Sequence, residues 1–266
     1  MPESLPEPDA APEPELHGDA ATVVLLRESP RGPEVLLLER PSHRGSFAGA
    51  WVFPGGHVDH EDREAVAAQT DPEVARAAGH PVPDLHDGGA PDPLLAAALR
   101  AGVRETFEET GLEVLEAELA GFSMWTPPPT APKRLRTWFF LAIVDAGSSQ
   151  HLRLSPDEHV DHAWLTPAEA LQRHGEGAIS LVPPTWMTLR WLARQDSAAG
   201  AVEAARSRPP ADFRSLRTVD EQGRPIVAWA GDEAYDVGGL AGPAGARNRV
   251  HLGSLPWVRE RTPREG

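Results

Sequence analysis

The sequence predicts an α/β protein, and three observations support that fold class. Apolar runs at 22–26 and 34–40 flank a Ser-Pro-Arg-Gly-Pro turn, the pattern of two strands joined by a turn. Apolar residues recur at helical spacing over 94–110, and Gly111 follows as a residue suited to end a helix. Two further strands are predicted after this helix, at 113–125 and 137–144. Strands therefore precede and follow the main helix along the chain.

The other elements are shorter and follow from local signals. A strand at 51–53 stops at a Pro-Gly-Gly sequence, and a strand at 164–166 stops at Pro167. Pro167 and Pro184 each open a helix, because the first helical position needs no backbone N–H donor. The three shorter predicted helices cover 63–78, 167–174 and 184–195.

Composition divides the chain into four parts. Residues 1–20 are rich in Pro and Glu and predict a disordered acidic tail. Residues 21–195 hold the elements of one domain, with an insertion at about 60–93 where Pro, Gly, Asp and His are frequent. Residues 196–212 are interpreted as a linker, and 213–266 as a small β-rich C-terminal extension. A Gln-Gly turn predicts a hairpin inside that extension.

Charge and composition exclude several functional classes. The 266 residues carry a net charge of −15, which argues against a duplex nucleic-acid partner because such proteins need a basic face. No apolar run approaches the roughly 20 residues needed to cross a bilayer, so no membrane partner is expected. The absence of cysteine excludes disulfides and is consistent with the cytoplasm, which we predict as the location. These data leave a homodimer open as an oligomeric state.

The most informative segment holds three carboxylates on one helix. Glu105, Glu108 and Glu109 stand at offsets 0, +3 and +4, so they fall within about 100° of arc on one face. Oxygen ligands in such a patch favour a hard divalent cation, Mg²⁺ or Mn²⁺. A solvated acidic surface is the alternative interpretation, since exposed like charges cost little. The residues predicted to face the core are Leu95, Leu99, Val103, Phe107 and Thr110.

The motif around these carboxylates resembles the signature of the Nudix hydrolases. That signature joins a glycine, here Gly56, to an Arg-Glu-apolar-x-Glu-Glu-x-Gly-apolar segment, here beginning at Arg104. Two departures stand out: 34 residues are inserted between the halves, and Asp62 replaces the first glutamate. Thr106 also stands where the family usually has an apolar residue. The resemblance implies a mixed β-sheet between helices and a metal-dependent diphosphatase.

The inserted motif is similar to the branch that contains the peroxisomal coenzyme A diphosphatase. The sequences Phe-Ala-Gly-Ala-Trp-Val-Phe-Pro-Gly-Gly at 47–56 and Thr-Trp-Phe-Phe at 137–140 contribute to this resemblance, which covers about 20–195. It implies cleavage of coenzyme A or an acyl-coenzyme A at the diphosphate. The alternatives are ADP-ribose, a dinucleotide or another nucleoside diphosphate derivative as substrate. A nucleotide-sensing module without catalysis is a further alternative.

The resemblance and the local chemistry together assign roles to individual residues. The metal ligands are expected to be Glu105, Glu108, Glu109 and Glu158, with Asp161 as a substitute for the last. Glu105, Glu158 and Arg104 are expected to serve catalysis, with Arg104 orienting a helix glutamate. Which carboxylate acts as general base is left open. Arginines suited to phosphate and an aromatic ring suited to stacking form the expected substrate site: Arg40, Trp125, Arg134 and Arg136.

Four histidines offer an alternative metal site. His57 and His60, and likewise His159 and His162, are separated by two residues, a spacing loosely similar to that of zinc ligands. With no cysteine available, we interpret them as residues of polar loops around a carboxylate site.

Overall fold

A computed structural model describes residues 15–43, 47–70, 92–145, 147, 152–155, 158–235, 242 and 244–262. Most of the predicted tail and residues 71–91 of the predicted insertion lie outside these ranges. The elements are β1 Gly18–Ser29, β2 Gly32–Glu39, β3 Trp51–Val52, β4 Gly55–His57, α1 His60–Thr70, α2 Pro93–Thr110, β5 Ala120–Thr126, β6 Leu135–Ile143, β7 Asp161–Leu165, α3 Pro167–Gly175, α4 Pro183–Leu192, α5 Ala198–Arg206, β8 Ala211–Arg214, β9 Leu216–Val219, β10 Pro225–Ala228, β11 Asn248–His251 and β12 Val258–Arg261.

The main sheet is mixed and has β1 near its centre. Its strand order is β3-β2-β1-β6-β5-β8, with β4 paired to β1 and β7 paired to β2. Strand β1 runs antiparallel to β2 and parallel to β6. Along β1 the buried side chains alternate between two cores, because successive residues of a strand point to opposite faces. Val23 and Leu25 face the core under α2, while Val24 and Leu26 face the core under α3, α4 and α5. The predicted α/β class with a sheet between helices is confirmed.

Helix α2 lies closer to the sheet than its apolar pattern predicts. Its buried residues are small or polar, whereas Phe107 is 53% exposed and Leu95, Leu99 and Val103 are only half-buried. A Cβ added at Gly102 would lie 3.1 Å from Val23 Cγ2, so the helix packs tightly against β1. The predicted core face of this helix was therefore only partly right: Thr110 is buried, Leu95, Leu99 and Val103 pack half-buried against the core, and Phe107 is exposed. The residues that face the sheet are Ala97, Ala98, Ala101, Gly102, Thr106, Glu109 and Thr110.

The segment predicted to be a linker is ordered and packed. Residues 196–212 contain α5, which begins after Ser197, whose hydroxyl accepts from Gly200 N–H at 3.0 Å. Ala198, Ala201 and Ala205 of α5 are buried in the sheet core, and β8 then pairs in parallel with β5 of the main sheet. The sequence did not predict this helix because its small side chains form no stripe of large apolar residues. The same small side chains allow the helix to lie close to its neighbours.

The C-terminal extension forms a second sheet of four antiparallel strands. Its order is β12-β11-β10-β9, and the predicted hairpin is confirmed as β9 and β10. Gly223 lies in the turn with φ 76°, a conformation that favours glycine. Val227, Trp229 and Val250 of this sheet belong to the same apolar cluster as the main sheet's outer face. The extension is therefore packed on the domain and is no independent appendage.

Two predicted boundaries differ from the structure. Strand β1 begins at Gly18, so the end of the predicted tail is part of the sheet. The strand predicted at 113–125 begins only at Ala120, because Glu116–Glu118 form one turn of 3₁₀ helix. Within the described ranges, no helix is both long and apolar enough to cross a membrane.

Candidate active site

Two glycines at the start of β4 bring the backbone against the carboxylates of α2. Gly55 has φ 152°, and a Cβ there would lie 2.2 Å from Ala21 O. Its N–H donates to Glu109 Oε2 at 2.8 Å. A Cβ at Gly56 would lie 2.3 Å from Glu105 Cδ. Gly55 therefore allows close approach to β1 while its N–H binds Glu109, and Gly56 leaves the space that the Glu105 carboxyl group occupies.

Gly56→Ala is expected to lower any metal-dependent activity at least about tenfold, while the melting temperature changes little. The clash falls on the end of the flexible Glu105 side chain, which can rotate away and leave its position in the site. Gly147→Ala is the matched control, since a Cβ there would have no atom within 4 Å. Steady-state kinetics and thermal unfolding of both variants measure the effect. Wild-type kinetics in Gly56→Ala would contradict the placement of Glu105 in the site.

The Arg104 side chain hydrogen-bonds to residues of both halves of the motif. Its Nη1 donates to Glu105 Oε1 at 2.9 Å and Glu108 Oε2 at 3.2 Å. Its Nη2 donates to Asp62 Oδ2 at 2.9 Å and to His57 O at 3.0 Å. Hydrogen bonding to Asp62, more than any other interaction, raises the pKa of Arg104. Asp62 therefore reaches Arg104 from the first turn of α1 despite the inserted segment between them.

Glu109 is the most buried carboxyl group of the cluster. It is 4% exposed, and burial, with further contributions from Glu105 and Glu158, raises its pKa to about 8. Burial also raises the pKa of Glu105, although Arg104 opposes this shift. The solvated-surface interpretation therefore does not apply to Glu109. Such a crowded acidic group fits a divalent cation, whose charge would favour the ionised carboxylates.

A loop next to β7 completes the cluster with Glu158 and His159. Atoms of Glu109, Glu158 and His159 that can bind a metal all lie within 4.8 Å of one another. Glu158 is exposed, while His159 is buried, and burial lowers the pKa of His159 to about 4. Sequence reasoning placed Glu158 here but assigned His159 to a polar loop. The sequence feature that could have identified His159 as a site residue is its position directly after Glu158.

The other histidines of the predicted alternative site do not join this cluster. His57 Nε2 lies 2.8 Å from Lys133 Nζ, and His60 pairs with the exposed Glu64. His162 is exposed on β7. Among the described residues, the group of metal-binding side chains contains only one histidine.

Two of the residues predicted to bind substrate are buried inside the protein. Trp125 is 3% exposed and stacks on Phe213 with ring centroids 4.1 Å apart, because β8 covers it. Arg134 is 1% exposed and donates to Pro127 O, and residues 15–17, which precede β1, hydrogen-bond to it. These positions offer no surface to a substrate, so this part of the prediction is corrected.

The other two residues predicted to bind substrate, Arg136 and Arg40, differ in whether their side chains already have hydrogen-bond partners. Arg136 donates to Asp19 Oδ1 at 2.8 Å and is half-buried. Arg40 follows β2, and its buried Nε has no hydrogen-bond partner. The charge of Arg40 contributes to lowering the pKa of Glu109, His57 and His159. Arg40 therefore places positive charge beside the acidic cluster, and Lys133 places a second positive charge next to His57.

A search against family models matches residues 74–183 to the NUDIX domain. The chain carries a Nudix domain. The match includes α2 and the loop with Glu158, but it begins after Gly55 and Gly56. The structure places those two glycines against Glu105 and Glu109 of α2.

Comparisons with known proteins agree with the Nudix assignment. The human acyl-coenzyme A diphosphatase NUDT19 is 31% identical over 170 residues, which is 51% of this chain and 44% of that protein. The chain thus matches less than half the length of this relative. The structure of a NUDIX hydrolase from Alicyclobacillus acidocaldarius has a TM-score of 0.55 at 22% identity, covering 74% of this chain and 97% of the other. This second similarity concerns the fold alone.

Proposed function

We propose that this protein is a metal-dependent hydrolase that cleaves the diphosphate linkage of coenzyme A or an acyl-coenzyme A. Water is added across the linkage, giving adenosine 3′,5′-bisphosphate and phosphopantetheine or acyl-phosphopantetheine. The observation that carries the proposal is the acidic cluster on the Nudix helix, held against Gly55 and Gly56. The name of the human relative supports the choice of substrate class.

The carboxylates proposed to hold Mg²⁺ or Mn²⁺ are Glu105, Glu108, Glu109 and Glu158. A bound divalent cation neutralises diphosphate charge and lowers the pKa of a bound water. The neighbouring groups fix the carboxylates in place: Gly55 N–H holds Glu109, and Arg104 holds Glu105 and Glu108. This arrangement lets the acidic residues meet the substrate without a large rearrangement.

Proton removal from the attacking water is assigned to one of these carboxylates. Glu158 is exposed, so it can pass a proton to solvent directly. Glu105 is the alternative base and is more enclosed, with 13% of its side chain exposed. Arg104 acts as a positioning residue, because its guanidinium bonds both Glu105 and Asp62.

Positive side chains beside the cluster are proposed to bind the substrate phosphates. Arg40 offers a guanidinium whose buried Nε lacks a partner, and Lys133 offers an ammonium group near His57. Arg136 remains a further proposed contact, although Asp19 already pairs with it. We leave Trp125 and Arg134 out of the proposed site because both are buried.

A panel of substrates with resolved products tests the proposal. The full chain is incubated with coenzyme A, an acyl-coenzyme A, ADP-ribose and a dinucleotide, in Mg²⁺, in Mn²⁺ and in excess chelator. We expect metal-dependent release of adenosine 3′,5′-bisphosphate from the coenzyme A substrates. Clear preference for ADP-ribose or a dinucleotide would overturn the proposed substrate but would leave the proposed hydrolase activity in place. Tight nucleotide binding with no cleavage in either metal would instead favour a sensing module.

Coenzyme A is expected to be cleaved more efficiently than its 3′-dephospho form. The 3′-phosphate adds charge that an arginine can bind through two N–H groups. Arg40→Gln is expected to narrow this ratio by roughly ten- to a hundredfold, the typical loss of a charged contact. Arg217→Gln, an exposed residue of β9, is the control and should keep the wild-type ratio. Equal kcat/KM for both forms in the wild type would show that the enzyme does not recognise the 3′-phosphate.

A further inference from the structure

His159 is a buried imidazole that lies against the acidic cluster without a hydrogen-bond partner. Its side chain is 1% exposed, and neither Nδ1 nor Nε2 is hydrogen-bonded. Nε2 lies 3.7 Å from Glu109 Oε1, while the other oxygen of Glu109 accepts from Gly55. Leaving a buried polar group unpaired is unfavourable, so such a group indicates a ligand that satisfies it.

Backbone hydrogen bonds position the main chain of His159 next to the acidic cluster. The N–H of His159 donates to Ser155 O at 3.0 Å, and Ser155 N–H donates to Glu109 O at 3.2 Å. On the other side, Val160 N–H donates to Glu39 O at 2.9 Å. The loop is thereby attached both to the end of α2 and to the end of β2. Main-chain contacts therefore hold the residue itself close to Glu109, and its Nε2 lies 3.7 Å from Glu109 Oε1.

We propose that His159 is a nitrogen ligand of the same divalent cation that Glu109 and Glu158 bind. The inference rests on the proposed metal site and adds a residue to it. Ligand atoms on one ion, each about 2.0–2.2 Å from the metal, lie roughly 3–4.4 Å apart. The donor atoms of these three residues already lie within 4.8 Å of one another, so small side-chain rotations bring them into range. Binding the metal also satisfies one orphaned ring nitrogen.

A nitrogen ligand changes which metal the site prefers. Mg²⁺ binds oxygen ligands and keeps several waters, whereas a transition ion such as Mn²⁺ also accepts imidazole. The four carboxylates alone would serve either ion. With His159 as ligand, the site is expected to bind Mn²⁺ more tightly than Mg²⁺.

Pulsed electron paramagnetic resonance of Mn²⁺ bound to the full chain tests the ligand directly. We expect a ¹⁴N coupling to the metal that changes to the ¹⁵N pattern when the protein is labelled with ¹⁵N-histidine. This measurement uses the wild-type protein and does not depend on the folding of a variant. Bound Mn²⁺ with no histidine nitrogen coupling would overturn the inference, while metal-dependent hydrolysis in the same sample would leave the proposed function intact.

His159→Gln tests whether the nitrogen is that of His159. The variant should lose the coupling, and calorimetry should show Mn²⁺ affinity reduced at least about tenfold with a smaller change for Mg²⁺. His162→Gln, on the exposed side of β7, is the matched control and should retain both coupling and affinity. A coupling that persists in folded His159→Gln would assign the nitrogen to another residue and refute the inference.

Discussion

Glu109→Gln is expected to lower turnover of a diphosphate substrate at least about a hundredfold while the protein remains folded. The substitution removes a charged group that we propose as a metal ligand, yet it keeps an oxygen that can accept from Gly55 N–H. Burial and neighbouring carboxylates already raise the pKa of Glu109 to about 8, so the fold accommodates an uncharged group at this position. Metal-free thermal unfolding should therefore match the wild type, and stabilisation by added Mn²⁺ should be lost.

The control for this variant is Glu113→Gln, which changes an exposed glutamate beyond the end of α2. Its turnover and its response to Mn²⁺ should equal those of the wild type. Full activity in Glu109→Gln, or in wild-type protein with excess chelator, would contradict the metal-dependent assignment.

Asp232→Asn is expected to produce the largest loss of stability. Asp232 is fully buried and accepts from the buried Arg249, and from the N–H groups of Ala234 and Asn248 at 2.9 and 2.8 Å. Removing one partner of a buried ion pair typically costs about 3–5 kcal/mol, because the other charge remains uncompensated. For a domain of this size the melting temperature should fall by roughly 6–20 °C.

The pH dependence of this loss has a definite sign. Burial alone would raise the pKa of Asp232, but hydrogen bonds from Arg249 and two backbone N–H groups outweigh it and lower the pKa. A lowered folded-state pKa contributes stability above the unfolded value, about 4, and this stability is lost as pH falls through the folded-state pKa. The difference between wild type and Asp232→Asn should therefore shrink in acid. Asp212→Asn, a more exposed carboxylate, is the control and should unfold like the wild type.

The sequence predicted the elements whose signals are local. Helix α2 ends at Gly111 with φ 68°, as the glycine indicated, and the strands around the Gly32 turn lie where their apolar runs predicted. The carboxylate positions on α2 also follow from helical spacing. These predictions succeed because capping, turn chemistry and periodicity depend on neighbouring residues.

The sequence failed where contacts come from distant segments. Trp125 is buried because β8, from a segment interpreted partly as a linker, lies beside β5. Ala97, Ala98, Ala101 and Gly102 of α2 face the sheet because small side chains permit close approach, which a count of large apolar residues does not detect. His159 joins Glu109 only through folding, since 50 positions separate them in the chain. Tertiary contacts of this kind leave no periodic pattern.

The pairing of β8 with β5 affects how the protein folds during synthesis and what happens when it is cleaved. The side chains that cover Trp125, namely Phe213 and Trp229, come from the last quarter of the chain. The ribosome must therefore release the chain at least through Trp229 before the outer face of the main sheet can close. A product cut after α4 would leave an aromatic surface exposed to solvent and to other chains. Proteolytic loss of the C-terminal sheet should thus remove the protein from solution instead of trimming it to a smaller working enzyme.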